Sequence, residues 1–144
     1  MRLTQHTDYA LRMLIHAALR APELTTVGAV SEDFKLSLTH LNKVAQTLAE
    51  TGYLHTVRGR SGGLRLALPA EKIRLGQIVL ATEPDFQIAP CMSPTNAECP
   101  IYRPCVLREA LDQAAQAFVR ELDRWTLSDL VRHRSALLTA IGRK

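Results

Sequence analysis

The 144-residue chain carries 18 Lys and Arg against 14 Asp and Glu, a formal charge of +4 at pH 7, with 47% apolar and 22% charged residues. That balance suits one folded unit with a real core, or a small domain with an appended arm, and excludes a disordered chain. No apolar run reaches the roughly 18 residues that cross a bilayer and no signal-peptide core follows Met1, so a cytoplasmic protein with no membrane partner is expected.

The charge is unevenly placed. Residues 1 to 75 hold ten Lys and Arg against six Asp and Glu, while residues 76 to 144 hold eight of each. A basic half joined to a neutral half fits a polyanion-binding module with an attached sensing or pairing module.

In chain order, Tyr9, Ala10, Met13, Leu14, Ala17 and Ala18 recur at helical spacing and predict an amphipathic helix over Thr7 to Leu19, ended by Pro22. Val27, Val30 and Phe34 predict a short second helix over Thr25 to Phe34. Ser37 reads as the N-cap of a third, through Leu41, Val44, Ala45 and Leu48 to a stop at Gly52. Alternating residues at Tyr53 to Val57 and Leu64 to Leu68 enclose the basic, glycine-containing turn Arg58 to Gly63 and predict a β-hairpin. Three helices followed by such a hairpin is the winged helix-turn-helix layout. A short helix is expected over Leu75 to Thr82, and then Pro84, Pro90, Pro94, Pro100 and Pro104 argue against regular structure. From Cys105, the series Leu107, Leu111, Ala114, Phe118, Leu122 and Trp125 predicts a helix of about 20 residues, roughly 30 Å long. A domain this small cannot cover such a face alone, so pairing with the same helix of a second copy is expected. Thr126 with Asp129 forms a capping-box pattern for a helix over Leu127 to Arg132, and the basic tail after Arg134 is expected to fray. The fold class is therefore mainly α with a small β-hairpin, a winged helix-turn-helix plus a long dimerisation helix. The expected divisions are a DNA-binding region at 1-82, a cysteine-containing loop at 83-104, and dimerisation and C-terminal helices at 105-144.

Two constellations carry chemistry. The first is Ser37, Thr39, His40, Lys43 and Gln46 on the third helix, with Arg58, Arg60 and Arg65 on the hairpin. Donors three apart on a helix face can reach phosphates and base edges together, and guanidinium groups on a glycine-rich tip suit a narrow minor groove. The second is Cys91, Cys99 and Cys105, an odd number confined to one proline-rich stretch. Thiolates are soft ligands for zinc, copper(I) or iron-sulfur clusters, and the close cysteine pair usual in structural zinc sites is missing. A cluster is larger than one ion and tolerates wider spacing, while prolines reduce the entropy lost when the loop wraps a cofactor. Three cysteines leave one iron of a cubane short of a ligand; Asp8, Asp85, Glu98 and His6 are candidates by chemistry. No nucleophile-elbow, phosphate-loop, zinc-protease or dinucleotide motif occurs, so an enzyme is not expected. The remaining alternative is a metal-binding or thiol-redox module that binds no DNA.

The opening run MRLTQHTDYALR at Met1 to Arg12, VRGRSGGLRL at Val57 to Leu66, IRLGQI at Ile73 to Ile78, the three-cysteine loop and LDRWTLSDL at Leu122 to Leu130 together resemble the Rrf-two-type bacterial transcription regulators, and within them the nitric-oxide-sensing branch. The likeness spans nearly the whole chain. It implies a homodimeric repressor that binds double-stranded operator DNA and answers nitric oxide. It further implies a 4Fe-4S cluster held by Cys91, Cys99 and Cys105 together with an aspartate near the N-terminus of the other subunit, the place Asp8 occupies here. Relatives with a 2Fe-2S cluster, which answer cluster supply, iron or redox state, carry a histidine just after the last cysteine; here Val106-Leu107-Arg108-Glu109 follows instead. The separation of Cys91 from Cys99 is wider than the family's usual spacing.

Overall fold

A computed structural model describes residues 2–93 and 99–142; Glu98, one candidate ligand, lies outside the described residues. Helix α1 (Gln5–Arg20) begins where the Thr4 side chain accepts the Thr7 N–H, and it buries Tyr9, Ala10, Met13, Leu14 and Ala17. Helix α2 (Val27–Phe34) is capped by Thr26, whose hydroxyl accepts the Ala29 N–H. Ser37 caps α3 (Leu38–Glu50), whose buried Leu41, Val44, Ala45 and Leu48 recur at the helical period and join the α1 stripe in the core. Side-chain oxygens thus satisfy N–H groups that the first turn of each helix leaves open.

Strands β1 (Leu54–Val57) and β2 (Gly63–Leu66) pair antiparallel with Leu54 opposite Leu66. A third backbone segment joins them, because Thr25 and Leu64 exchange N–H···O bonds in an isolated bridge. Ordinary strand alternation buries Leu54 and Leu64 and exposes His55 and Arg65. After a single 3-10 turn at Ala70–Lys72, α4 (Leu75–Thr82) packs on α1 and on α5 (Val106–Leu122). Short helices α6 (Leu127–Leu130) and α7 (Arg134–Ile141) close the described chain, and the Thr126–Asp129 capping box is formed.

Three expectations need correction. Helix α5 is 17 residues long, roughly 26 Å, and Trp125 lies beyond its end, where the Trp125 carbonyl accepts the Leu75 N–H at 3.0 Å. Residues 135–141 continue α7 instead of fraying, and Arg143 and Lys144 of that tail lie outside the described residues. Arg134 donates to the carbonyls of Ala18 and Ala21, both at 3.3 Å, and so satisfies oxygens at the C-terminal end of α1. The proline-rich stretch is not wholly irregular, since Pro90–Met92 form one 3-10 turn that packs against α5.

Gly76 sets the distance between α4 and α5. A methyl group there would stand 2.7 Å from the Val119 carbonyl oxygen and 2.7 Å from Asp123 Oδ1. Gly76→Ala is therefore expected to push α5 away from α4 and to cost about 1 to 3 kcal/mol, the usual penalty of overpacking. Urea unfolding checks this, and an unchanged midpoint would mean that α5 shifts without cost.

Candidate nucleic-acid interface and metal centre

The core stripe of α3 points its opposite face outward. Thr39, Lys43 and Gln46 are exposed there, and Asn42 stands with them at the same helical spacing. Asn42 is absent from the set read from the sequence, which followed the three-residue steps from Ser37 through His40 to Lys43 and not the whole face opposite the core stripe. Two expected members play other parts. The Ser37 hydroxyl accepts the His40 N–H at 3.5 Å as the helix cap, and the His40 ring lies 6.4 Å from that of Tyr9 on α1. His40 and Lys43 share a cleft with Gln5, His6, Tyr9 and Val44, which puts His6 beside α3. Gln46 donates to Glu50 at 2.8 Å, so its amide must leave that partner before it can reach a base.

Arg58 and Arg60 are exposed at the hairpin tip, and Arg65 is exposed on β2. Among the described residues, Lys43, Arg58 and Arg60 take part in no ion pair, so their charge is available to phosphates. The glycines of the tip serve the protein more than close approach to a ligand. A methyl group at Gly63 would collide with the Thr25 carbonyl, whereas Gly59, at φ +117°, has open space around it and supplies the backbone conformation of the turn.

The three cysteines are free thiols and all are half-buried. Cys91 sits in the Pro90–Met92 turn, the Cys99 carbonyl accepts the Tyr102 N–H at 2.9 Å, and Cys105 is the N-cap residue of α5. Anionic sulfur at Cys105 would face the positive end of the α5 dipole. A cleft of about 440 Å³ is lined by Met92, next to Cys91, and by Cys105, with Arg103 and Arg108 on its wall opposed by Glu109 and Asp112. The Arg108 guanidinium lies 4.4 Å from the centre of the Tyr102 ring. Three free thiols on one stretch are soft donors, and it is this donor chemistry, not the charge of the cleft, that fits a thiolate-ligated cluster. Among the described residues, no three His, Cys, Asp or Glu side chains converge closely enough to hold a metal ion. Of the remaining candidates, Asp8 accepts two bonds from Arg12 Nε at 3.1 and 3.0 Å, and Asp85 Oδ1 accepts the Gln87 N–H at 3.1 Å. Among the described residues no helix is long and apolar enough to cross a membrane.

Comparison with known proteins gives a consistent result. The profile of the Rrf2 family, described as an iron-dependent transcriptional regulator, matches residues 3–133. The chain is 39% identical over 145 residues to the HTH-type transcriptional regulator NsrR of Bacillus subtilis, covering 100% of this chain and 99% of that protein. It is 40% identical over 138 residues to NsrR of Geobacillus kaustophilus, covering 95% and 94%. Among solved structures, IscR of T. potens superposes with a TM-score of 0.73 over 92% of this chain and 88% of that one; at 19% identity the likeness concerns the fold alone.

Proposed function

The chain belongs to the Rrf2 family of transcriptional regulators, and on that premise we propose that it is a nitric-oxide-responsive repressor that binds operator DNA as a homodimer and senses through an iron-sulfur cluster. The observation that carries this reading is the coexistence of an exposed outer face on α3, wing arginines that make no ion pair among the described residues, and three half-buried thiols on the one segment that joins α4 to α5. Thr39, Asn42, Lys43 and Gln46 face the major groove, Ser37 and His40 stand at the helix entrance, and Arg58 and Arg60 reach the flanking backbone or minor groove. Asn42 presents a donor and an acceptor together, the pattern that matches adenine.

Pairing of two copies follows from the uncovered face of α5. Only Ala115 of this helix is buried, while Val106 and Leu107 are 75% and 64% exposed. Further along the helix, Leu80, Phe86, Ala115 and Val119 line an apolar cleft of about 340 Å³. A second copy of the same face removes this surface from water.

Cys91, Cys99 and Cys105 would hold the cluster, of 4Fe-4S type, with Asp8 of the partner subunit as the fourth donor, and when bound the cluster would supply iron able to bind nitric oxide. Asp8 also has a partner on its own helix, because Arg12 Nε, one turn along α1, donates to its Oδ2 at 3.0 Å. A carboxylate tied across the dimer would hold one subunit's α1 against the other's cysteine segment, and one held by Arg12 instead would free that tie and change the spacing of the two α3 helices. A difference of about 3 kcal/mol between the two arrangements changes operator occupancy more than a hundredfold.

The test uses anaerobically purified protein. Duplexes are selected from a random-sequence library, and binding to the selected duplex is followed by fluorescence anisotropy with and without nitric oxide, alongside iron and acid-labile sulfide counts. The expected result is about four irons per subunit and an affinity that collapses with nitric oxide. Two irons per subunit and indifference to nitric oxide would point to a regulator of cluster supply, iron or redox state. Binding with no iron or sulfide present, and unchanged by nitric oxide, would end the sensing reading. On the same duplex, Arg60→Ala is expected to weaken binding by about 1 to 3 kcal/mol at fixed salt and to flatten the salt dependence. Equal affinity and slope would remove the wing from the interface.

A further inference from the structure

We propose that Glu83 is a positioning residue that couples the cysteine segment to the recognition helix α3 within a single subunit, by acting as part of the N-terminal cap of α1. The proposal rests on the sensing reading above but concerns a different contact from the one between subunits.

Glu83 directly follows the last residue of α4 and directly precedes Pro84. A residue before proline is held extended, and Glu83 has φ −82° and ψ 137°, so the direction of its side chain is constrained by the chain on both sides. Its Oε1 accepts the backbone N–H of Thr4 at 2.8 Å and the Thr4 hydroxyl at 3.1 Å. The Thr4 hydroxyl in turn accepts the Thr7 N–H at 3.3 Å, and the Thr4 carbonyl accepts the Asp8 N–H at 3.0 Å. A carboxylate supplied from 79 positions away thereby completes the first turn of α1, at the helix end where negative charge is favoured.

Both ends of this contact lead to working parts. Glu83 opens the segment that contains Cys91 and Cys99 and ends at Cys105. In the other direction, the turn it caps carries Asp8 and Tyr9, and Tyr9 lies against His40 at the entrance of α3. Thr7 is fully buried, so this turn is seated in the core and cannot slide without disturbing it. Movement of the cysteine segment pulls on Glu83, Glu83 pulls on the Thr4 cap, and the seat of α1 against α3 changes. No exchange across the dimer is needed for that path.

The measured quantity is the ratio of operator affinities of the cluster-loaded and cluster-free dimers, with the library-selected duplex as probe. Glu83→Ala is expected to lower this ratio about tenfold or more while leaving iron content and cluster-free affinity within about threefold of wild type. Glu83→Gln retains an acceptor oxygen and is expected to restore most of the ratio, and Thr4→Val, which keeps the N–H but loses the hydroxyl, is expected to fall between. Hydrogen exchange on the cluster-free protein gives an independent readout: the Asp8 amide is expected to lose protection in Glu83→Ala and to keep it in Glu83→Gln. A purely structural role would lower both affinities equally and leave the ratio intact, which overturns the proposal, as does unaltered exchange at Asp8. A wild-type ratio of about one would sink the sensing reading and this proposal with it, whereas a large wild-type ratio that survives Glu83→Ala sinks the clamp alone.

Discussion

On the function proposed above, replacing Cys99 by alanine is expected to yield a folded, colourless protein whose operator affinity no longer changes when nitric oxide is added. The structural share of Cys99 is small. It is half-buried, and among the described residues its carbonyl accepts the Tyr102 N–H, a bond that alanine keeps. Its substitution should therefore cost about 1 kcal/mol or less in stability. The chemical share is large. With three thiolates for a cluster, loss of one leaves two soft donors and whatever oxygen donor completes the set, too few to hold iron and sulfide through purification. Iron and acid-labile sulfide should fall to background while the thermal melt stays close to wild type. The decisive measurement is the visible spectrum of the anaerobic variant, and a brown protein with undiminished iron would show that Cys99 is no ligand.

The parts of this fold that were legible in the sequence are those governed by local chemistry. Helix α4 spans Leu75–Thr82 as expected because a buried apolar run is bounded by a β-bridge residue, Arg74, on one side and by Glu83-Pro84 on the other. The hairpin, the Ser37 cap and the Thr126–Asp129 box also follow from residues within a few positions of one another. What stayed hidden depends on contacts between distant positions. Arg134 looked like the start of a basic tail, yet its guanidinium works on carbonyls of α1 more than 110 positions away. Trp125 continues the apolar spacing of α5, but pairing between the Arg74 and Thr126 regions ends that helix first. At the candidate site, the cysteine positions were plain from composition, whereas the 3-10 turn under Cys91 and the place of Cys105 at the head of α5 were not. On the candidate surface of α3, donors at helical spacing from Ser37 gave Thr39, His40, Lys43 and Gln46 and passed over Asn42, although the core residues Leu41, Val44, Ala45 and Leu48 already define which face of α3 looks outward.

The buried His16 belongs to the same class of hidden features and should produce the largest loss of stability. Its side chain is 0% exposed; Nδ1 lies 2.8 Å from Thr25 Oγ1 and Nε2 lies 2.9 Å from Asp33 Oδ2, while Arg20 donates to the same Asp33 oxygen at 3.1 Å. A ring with its proton on Nε2 donates to Asp33 and accepts from the Thr25 hydroxyl, so both nitrogens are satisfied. Thr25 also carries the backbone bridge to Leu64 of the wing, and the His16 ring meets Phe34 edge-on with centroids 6.1 Å apart. One imidazole therefore ties together α1, α2 and the root of the wing. His16→Ala removes a fully buried ring and leaves two polar partners without it, which should cost about 3 to 5 kcal/mol, or a fall in Tm on the order of 10 °C. Acid titration tests the Asp33 side of the network. Burial raises the Asp33 carboxyl, but the hydrogen bonds from His16 and Arg20 and the charge of Arg20 outweigh that and hold it below its ordinary value of 3.8. A carboxyl depressed in the folded state contributes stability that is complete above its unfolded value and is lost as pH falls through the folded one. The stability gap between wild type and Asp33→Asn should accordingly be full at neutral pH and narrow only below about pH 4. A gap that stayed constant down to acid unfolding would mean that the Asp33 charge is not what the network uses, and that its contribution is packing alone.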